Sequence, residues 1–162
     1  MKEADEIRQR LIGTGGRMSQ DLGLGRITGQ ILVFLYLSRT ERSLDEIGAE
    51  LGLSKASVSI AVRQLERLGM IIRVWKPGDR KSYYRTADNF TAALQKGMVE
   101  FVNMKMQVVG TELDHARRLL DESDAKKDRD LQFLEKRVGR AVQLKDRVFK
   151  LIDNPLMKML QK

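Results

Sequence analysis

The stretch "SLDEIGAELGLSKASVSIAVRQLERLGMIIRVWKPGDRKSYYRT", Ser43 to Thr86, decides the fold. It opens as two short helices joined by a tight turn. Ser43 followed three residues later by Glu46 is a capping-box pattern, and Leu44, Ile47 and Leu51 then make an apolar stripe. Gly52 suits the left-handed position that closes a helix. Ser54 caps a second helix, in which Val58, Ala61, Val62, Leu65 and Leu68 recur at helical spacing until Gly69 ends it. The pattern then switches to strand periodicity. "MIIRVW" and "SYYRT" are β-branched and aromatic runs around "KPGDRK", where Pro77-Gly78 fits the centre of a type II turn. A two-stranded hairpin tipped by Lys76, Arg80 and Lys81 is therefore expected.

Helix, turn, helix and basic hairpin is the order of a winged helix-turn-helix. The second helix carries an oddity that bears on its use. Ser54, Ser57 and Ser59 sit in its first two turns, although hydroxyl side chains compete with the backbone and are mediocre interior helix formers. With Val58 inward, a step of about 100° per residue puts Ala56, Ser59, Ile60, Arg63 and Arg67 on the solvent side. Lys55 and Ser57 flank that side near the helix start. A helix entering the major groove needs small residues near the bases, hydroxyls and amides for phosphate, and an arginine able to bridge guanine O6 and N7. Ile60 on that face either meets a thymine methyl or packs beneath the hairpin, and Arg63 either reads a base or pairs with Glu66. The hairpin, with Arg73, Lys76, Arg80, Lys81 and Arg85, is read as contacting phosphates or the minor groove.

The rest of the chain is helical in pattern. Ala4, Ile7 and Leu11 suggest a short amphipathic helix that "GTGG", Gly13 to Gly16, stops. "RITGQILVFLYLS", Arg26 to Ser38, is apolar nearly all round, as befits a central helix. From Phe90 to Leu120 a long helix presents Phe101, Met104, Val108 and Leu113 near one face, with Gly97 and Gly110 as soft points. "DESDAKKDRD", Asp121 to Asp130, reads as a polar connector. A further helix follows, with Leu131, Leu134, Val138, Ala141, Leu144, Val148 and Leu151 at alternating 3 and 4 spacing, and it ends before Pro155. Such stripes on a small domain stay exposed unless they pair, so a homodimer is expected. Its dimerisation residues are Phe101, Met104, Val108, Leu134, Val138, Ala141, Leu144 and Val148. The fold class is thus mainly α with a minor β wing: residues 1–22 an N-terminal helix and Gly-rich connector available for a dimer contact, 23–88 the winged helix-turn-helix, 89–162 a helical dimerisation region.

Composition narrows the partner. The chain has 162 residues, a formal net charge of +8 and a pI near 9.9. Between Ser54 and Arg85 eight basic residues stand against two acidic ones, so most of the excess lies in one fifth of the chain. Cysteine is absent, so disulfides and thiolate metal sites are excluded. The apolar run "ILVFLYL", Ile31 to Leu37, falls far short of the roughly 20 residues that span a bilayer, and the N-terminus is charged, so a cytoplasmic, nucleoid-associated protein is expected. His115, the single histidine, lies in a charged segment and reads as a surface residue; with no nucleophile and base to assemble, no enzyme and no cofactor are expected. "GTGGRM" and "GLGRITG" follow no expected strand and complete no phosphate loop. Trp75 either packs across the hairpin against Tyr83 and Tyr84 or stacks on a ligand, and the eight methionines suit an adaptable interface, an effector cavity or simple core filling.

"GRITGQILVFLYLS" together with "LGLSKASVS" and "VWKPGDRKSYY" resembles the GbsR-like branch of the MarR-type winged-helix transcriptional regulators, over roughly Gly25 to Arg85. The resemblance implies a dimeric repressor or activator that binds a near-palindromic operator through Ser54 to Arg67 and the Lys76 to Lys81 wing. In better known relatives a small-molecule effector modulates binding; no defined ligand motif is present here, so the resemblance carries over the DNA-binding segment alone and leaves an effector, of unknown identity, open. The competing reading is a winged-helix module that binds protein inside a larger transcription or chromosome-organising assembly.

Overall fold

The computed structural model describes residues 2–123 and 128–152. The chain divides into two compact units, one running to Gly97 and one starting at Met98. The first contains α1 (Lys2–Asp21), α2 (Arg26–Tyr36), β1 (Arg42–Ser43), α3 (Leu44–Leu51), α4 (Lys55–Arg67), β2 (Ile71–Trp75), β3 (Ser82–Thr86) and the start of α5 (Phe90–Glu122); the second contains the rest of α5 and α6 (Arg129–Ile152).

The capping signals fold as expected. Ser43 Oγ accepts the Glu46 amide at 3.3 Å while the Glu46 carboxylate accepts the Ser43 amide at 2.7 Å, a complete capping box that starts α3. Gly52 closes α3 with φ 64°. α4 packs against α2, α3 and β2, and the core so formed buries Val58, Ala61, Val62 and Leu65 of α4, Ile47 of α3, Ile31 and Leu35 of α2, and Met70 and Ile71 at the start of the hairpin. Full burial of each large aliphatic contributes about 1.5–3 kcal/mol before chain entropy is charged against it.

Two expectations are corrected. "GTGG" does not stop the first helix: α1 continues unbroken through Gly13, Gly15 and Gly16 to Asp21. Glycine is a poor helix former but permits close approach of another helix, and here tertiary contact prevails over propensity. A Cβ on Gly15 would lie 2.4 Å from Val33 Cγ2, one on Gly16 2.7 Å from Gln30 Cγ, and one on Gly29 of α2 2.3 Å from both the Gly15 carbonyl oxygen and Ser19 Cβ. The small residues therefore form the seam on which α1 and α2 touch. Ser19 Oγ then donates to the Gly25 carbonyl at 2.9 Å, closing the turn between them.

The hairpin, secondly, belongs to a three-stranded antiparallel sheet of order β1-β3-β2. Arg42 and Ser43 pair with Tyr84 and Tyr83, so Ser43 ends a strand and caps a helix at once. A strand of two residues carries no periodicity that a sequence reading can detect.

In the second unit α5 runs through Gly110, whose position lies 3.6 Å from the Lys145 side chain of α6 when a Cβ is added. Leu120 of α5 and Val138 and Val142 of α6 line a common cleft. The expected connector is shorter than the polar run, since α5 extends to Glu122 and α6 begins at Arg129; residues 124–127, the Leu151 side chain and Pro155 lie outside what is described. Of the residues expected at the dimer contact, Phe101 is buried, Met104, Val138, Ala141 and Val148 are half-buried, and Val108, Leu134 and Leu144 are exposed. Among the described residues no helix is long and apolar enough to cross a membrane.

Candidate nucleic-acid interface

The start of α4 explains two of its three serines. Ser54 Oγ accepts the Ser57 amide at 3.2 Å, and the Ser54 and Ser57 hydroxyls lie 2.9 Å apart. These hydroxyls satisfy the helix terminus in the free chain and remain at its surface, where the helix dipole favours an anion. Ser59 is half-buried one turn further on.

The outward face of α4 is uncovered. Lys55, Ala56, Arg63 and Arg67 are exposed, and Ile60 is 62% exposed, so it does not pack beneath the hairpin. Arg63 donates Nε to the Ser59 carbonyl at 3.2 Å rather than pairing with Glu66. An open groove of about 470 Å³ runs between Ile60 and Ile27 of α2. The rotational setting of α4 depends on Gln64, which the sequence reading did not single out. Its Oε1 accepts the Thr28 hydroxyl at 3.1 Å and its Nε2 donates to the Leu24 carbonyl at 3.3 Å, fastening α4 to α2.

The wing is a built loop. The Asp79 amide donates to the Lys76 carbonyl at 3.1 Å across Pro77-Gly78, and Gly78 has φ 80°, as the third position of a type II turn requires. The Asp79 carboxylate accepts the Lys81 amide at 2.8 Å and the Tyr83 hydroxyl at 2.7 Å. That phenol bond, then the Lys81 amide, hold the Asp79 carboxyl below the usual carboxylate range, and the same bond raises the Tyr83 phenol. Lys76 Nζ sits 4.0 Å from the Tyr83 ring centroid and 3.4 Å from Glu41 Oε2. Arg80 is exposed with no ion pair among the described residues.

Two wing residues lie differently from the reading of the sequence. Trp75 does not pack against Tyr83 and Tyr84: it is opposite Ser82 in the ladder, 66% exposed, with the Arg73 guanidinium 4.7 Å from its ring centroid. The alternation of β2 puts Ile71, Arg73 and Trp75 on one face, buried at the base and bare at the tip because no element reaches that far. Arg85 stands at the base of the wing, opposite Ile72, bonded to Asp88 and to the Thr86 carbonyl.

Two carboxylates that the sequence reading passed over lie among these cations. Asp45 Oδ1 is 3.0 Å from Lys55 Nζ and its Oδ2 3.8 Å from Lys81 Nζ; Glu41 holds Lys76. The hydrogen bond from Lys55 keeps Asp45 below its usual range, and Glu41 is likewise lowered, first by its own backbone amide and then by Lys76. Among the described residues no group of histidine, aspartate and glutamate could hold a metal ion, and His115 is exposed.

Residues 22–82 match the model of the MarR family. Over 79 residues the chain is 33% identical to the HTH-type transcriptional regulator MmpR5 of Mycobacterium tuberculosis. The matched stretch is 48% of this chain and 48% of that protein, so the chain spans about half the length of the curated relative it matches. A crystal structure of a transcriptional regulator superposes with a TM-score of 0.63 at 22% identity, covering 96% of this chain and 99% of that one, a likeness of fold.

Proposed function

We infer, with a MarR-family winged helix over residues 22–82 as the premise, that the chain is a sequence-specific, double-stranded-DNA-binding transcriptional regulator that works as a homodimer in the cytoplasm. The observation that carries this reading is the outward face of α4, where Lys55, Ile60, Arg63 and Arg67 are exposed beside a cationic wing. In this reading α4 enters the major groove with Ala56, Ser57, Ser59 and Ile60 against base edges, and Arg63 and Arg67 reach guanine or phosphate. Ser54 and Lys55 meet phosphate at the positive end of the helix. Arg73, Lys76, Arg80, Lys81 and Arg85 follow the backbone or minor groove, Arg85 from the base of the wing.

A second copy supplies the symmetry. Ile7, Leu11 and Met18 on α1 and Leu22 just after it are 46–60% exposed, and Val108 and Leu144 are each 63% exposed on α5 and α6. In each unit, large apolar side chains left bare along a helix suit a surface that a second copy covers. Pairing would set two α4 helices about 34–36 Å apart, one helical turn of DNA. Residues 23–88 then read DNA, 89–162 dimerise, and 1–22 add to the contact. The GbsR-like branch, the repressor role and an effector that alters the two heads through the helical body are finer parts of the same reading.

The test is binding to random duplex at several salt concentrations, followed by selection from a random pool. The expected result is a log affinity that falls linearly with log salt, and a selected motif with two-fold symmetry. No duplex retained in dilute buffer would overturn the reading and favour a protein-binding winged helix.

A further inference from the structure

Lys55 at the start of α4 and Lys81 on the wing share one carboxylate. Asp45, in the first turn of α3, reaches both at 3.0 and 3.8 Å. All three side chains are half or more exposed, at 72% for Lys55, 50% for Asp45 and 59% for Lys81. Pairs this wet contribute little to stability. Their position is more telling than their strength, because both cations belong to the surface assigned above to DNA phosphate. Arg63, Arg67 and Arg80 on the same surface have no carboxylate partner among the described residues.

We propose that Asp45 is an internal competitor for phosphate, holding Lys55 and Lys81 together in the free protein and having to yield both when a DNA backbone arrives between recognition helix and wing. The inference rests on the DNA-binding reading and deepens it. A carboxylate and a phosphate carry the same sign and want the same two ammonium groups, so they exclude one another. The ammonium groups exchange one anion for another, which releases fewer counterions than two free lysines would release. Asp45 remains within a Debye length of the incoming backbone and repels it. It therefore lowers affinity for every duplex, specific or not, and keeps the basic face from saturating on random DNA.

The experiment compares the full-length protein with Asp45→Asn and Asp45→Glu on a random-sequence duplex at three salt concentrations. Removing one negative charge several ångströms from phosphate should tighten binding by about threefold to tenfold in dilute salt. The plot of log affinity against log salt should steepen by about one unit. Asp45→Glu should behave as wild type. In a Lys55→Ala/Lys81→Ala background the same Asp45→Asn change should gain less. Asp45→Ser, which also leaves a polar group in the first turn of α3, serves if the asparagine variant is poorly folded. Binding that is unchanged or weaker, with thermal stability intact, overturns the role given to Asp45 and leaves the DNA-binding reading standing. Wild type that retains no duplex overturns both.

Discussion

Replacing Gly29 with alanine sets helix propensity against helix packing, and the two predict opposite signs. Alanine is favoured over glycine within a helix by about 0.8–1.0 kcal/mol, so propensity alone makes the change stabilising. At Gly29 the new methyl would stand 2.3 Å from the Gly15 carbonyl oxygen and 2.3 Å from Ser19 Cβ. Ordinary contact begins more than 1 Å further out, and neither obstacle is the end of a flexible side chain, so α1 must retreat along the seam. Overpacking of this kind costs about 1–3 kcal/mol. The net expectation is a loss of up to about 2 kcal/mol, or up to roughly 8 °C in Tm for a chain of this size. Gly139, on α6, has nothing within 4 Å of an added Cβ and is the matched control. Gly139→Ala should raise Tm by a few degrees, since only propensity acts there. Thermal unfolding by circular dichroism at one protein concentration measures both, the concentration being held because dimerisation shifts Tm. A Gly29→Ala protein stabilised as much as Gly139→Ala would show that α1 is not seated on α2 as described.

Arg80→Ala should weaken binding to all duplexes and flatten the salt slope by about one unit, whereas Arg63→Ala should relax preference at one position at a cost of about 1–3 kcal/mol; equal effects on every sequence would contradict this division of labour. Ile60→Ala should change preference at a thymine-containing step without altering the fold or random-duplex affinity, and unchanged selection from a random pool would remove Ile60 from the base contacts. Ser54→Ala should cost about 0.5–2 kcal/mol by uncapping α4, read as a fall in urea midpoint. Glu46 is lowered below its ordinary 4.5, first by the Ser43 amide and then by the Ser43 hydroxyl. A carboxylate depressed in the folded state stabilises above the unfolded value, and that contribution is lost as pH falls through the folded one. Wild type should therefore lose stability below about pH 4.5 more steeply than Glu46→Gln, whose neutral side chain can still accept the Ser43 amide; parallel pH profiles would remove Glu46 from the capping box.

Local signals were legible where one residue type has one physical use. Ser43 and Glu46, Gly52, Ser54, Gly69 and Pro77-Gly78 each ended or turned an element as read, and the spacing of Val58, Val62 and Leu65 set the inward face of α4. Illegible features depended on what folding brings near. Gly15 and Gly29 have two uses, breaking a helix or admitting a neighbour, and only the seam between α1 and α2 selects one. Gln64 looked like a neutral helix residue until Thr28 and the Leu24 carbonyl, 36 and 40 residues away, met it. Asp45 drew no attention in the sequence because its two lysine partners lie 10 and 36 residues on. For Trp75 the sequence left packing across the hairpin and stacking on a ligand both open, and its place opposite Ser82, 66% exposed, is set by strand register that composition does not fix.

The bareness of Trp75 has an optical consequence. It is the single tryptophan of the chain, so emission excited at the red edge of protein absorption originates on the wing alone. A change in colour or intensity during a titration reports events within reach of that indole, and melting elsewhere passes unseen unless the wing goes with it. The protein thus carries its own local lamp at the place where an arriving helix of DNA would cast a shadow.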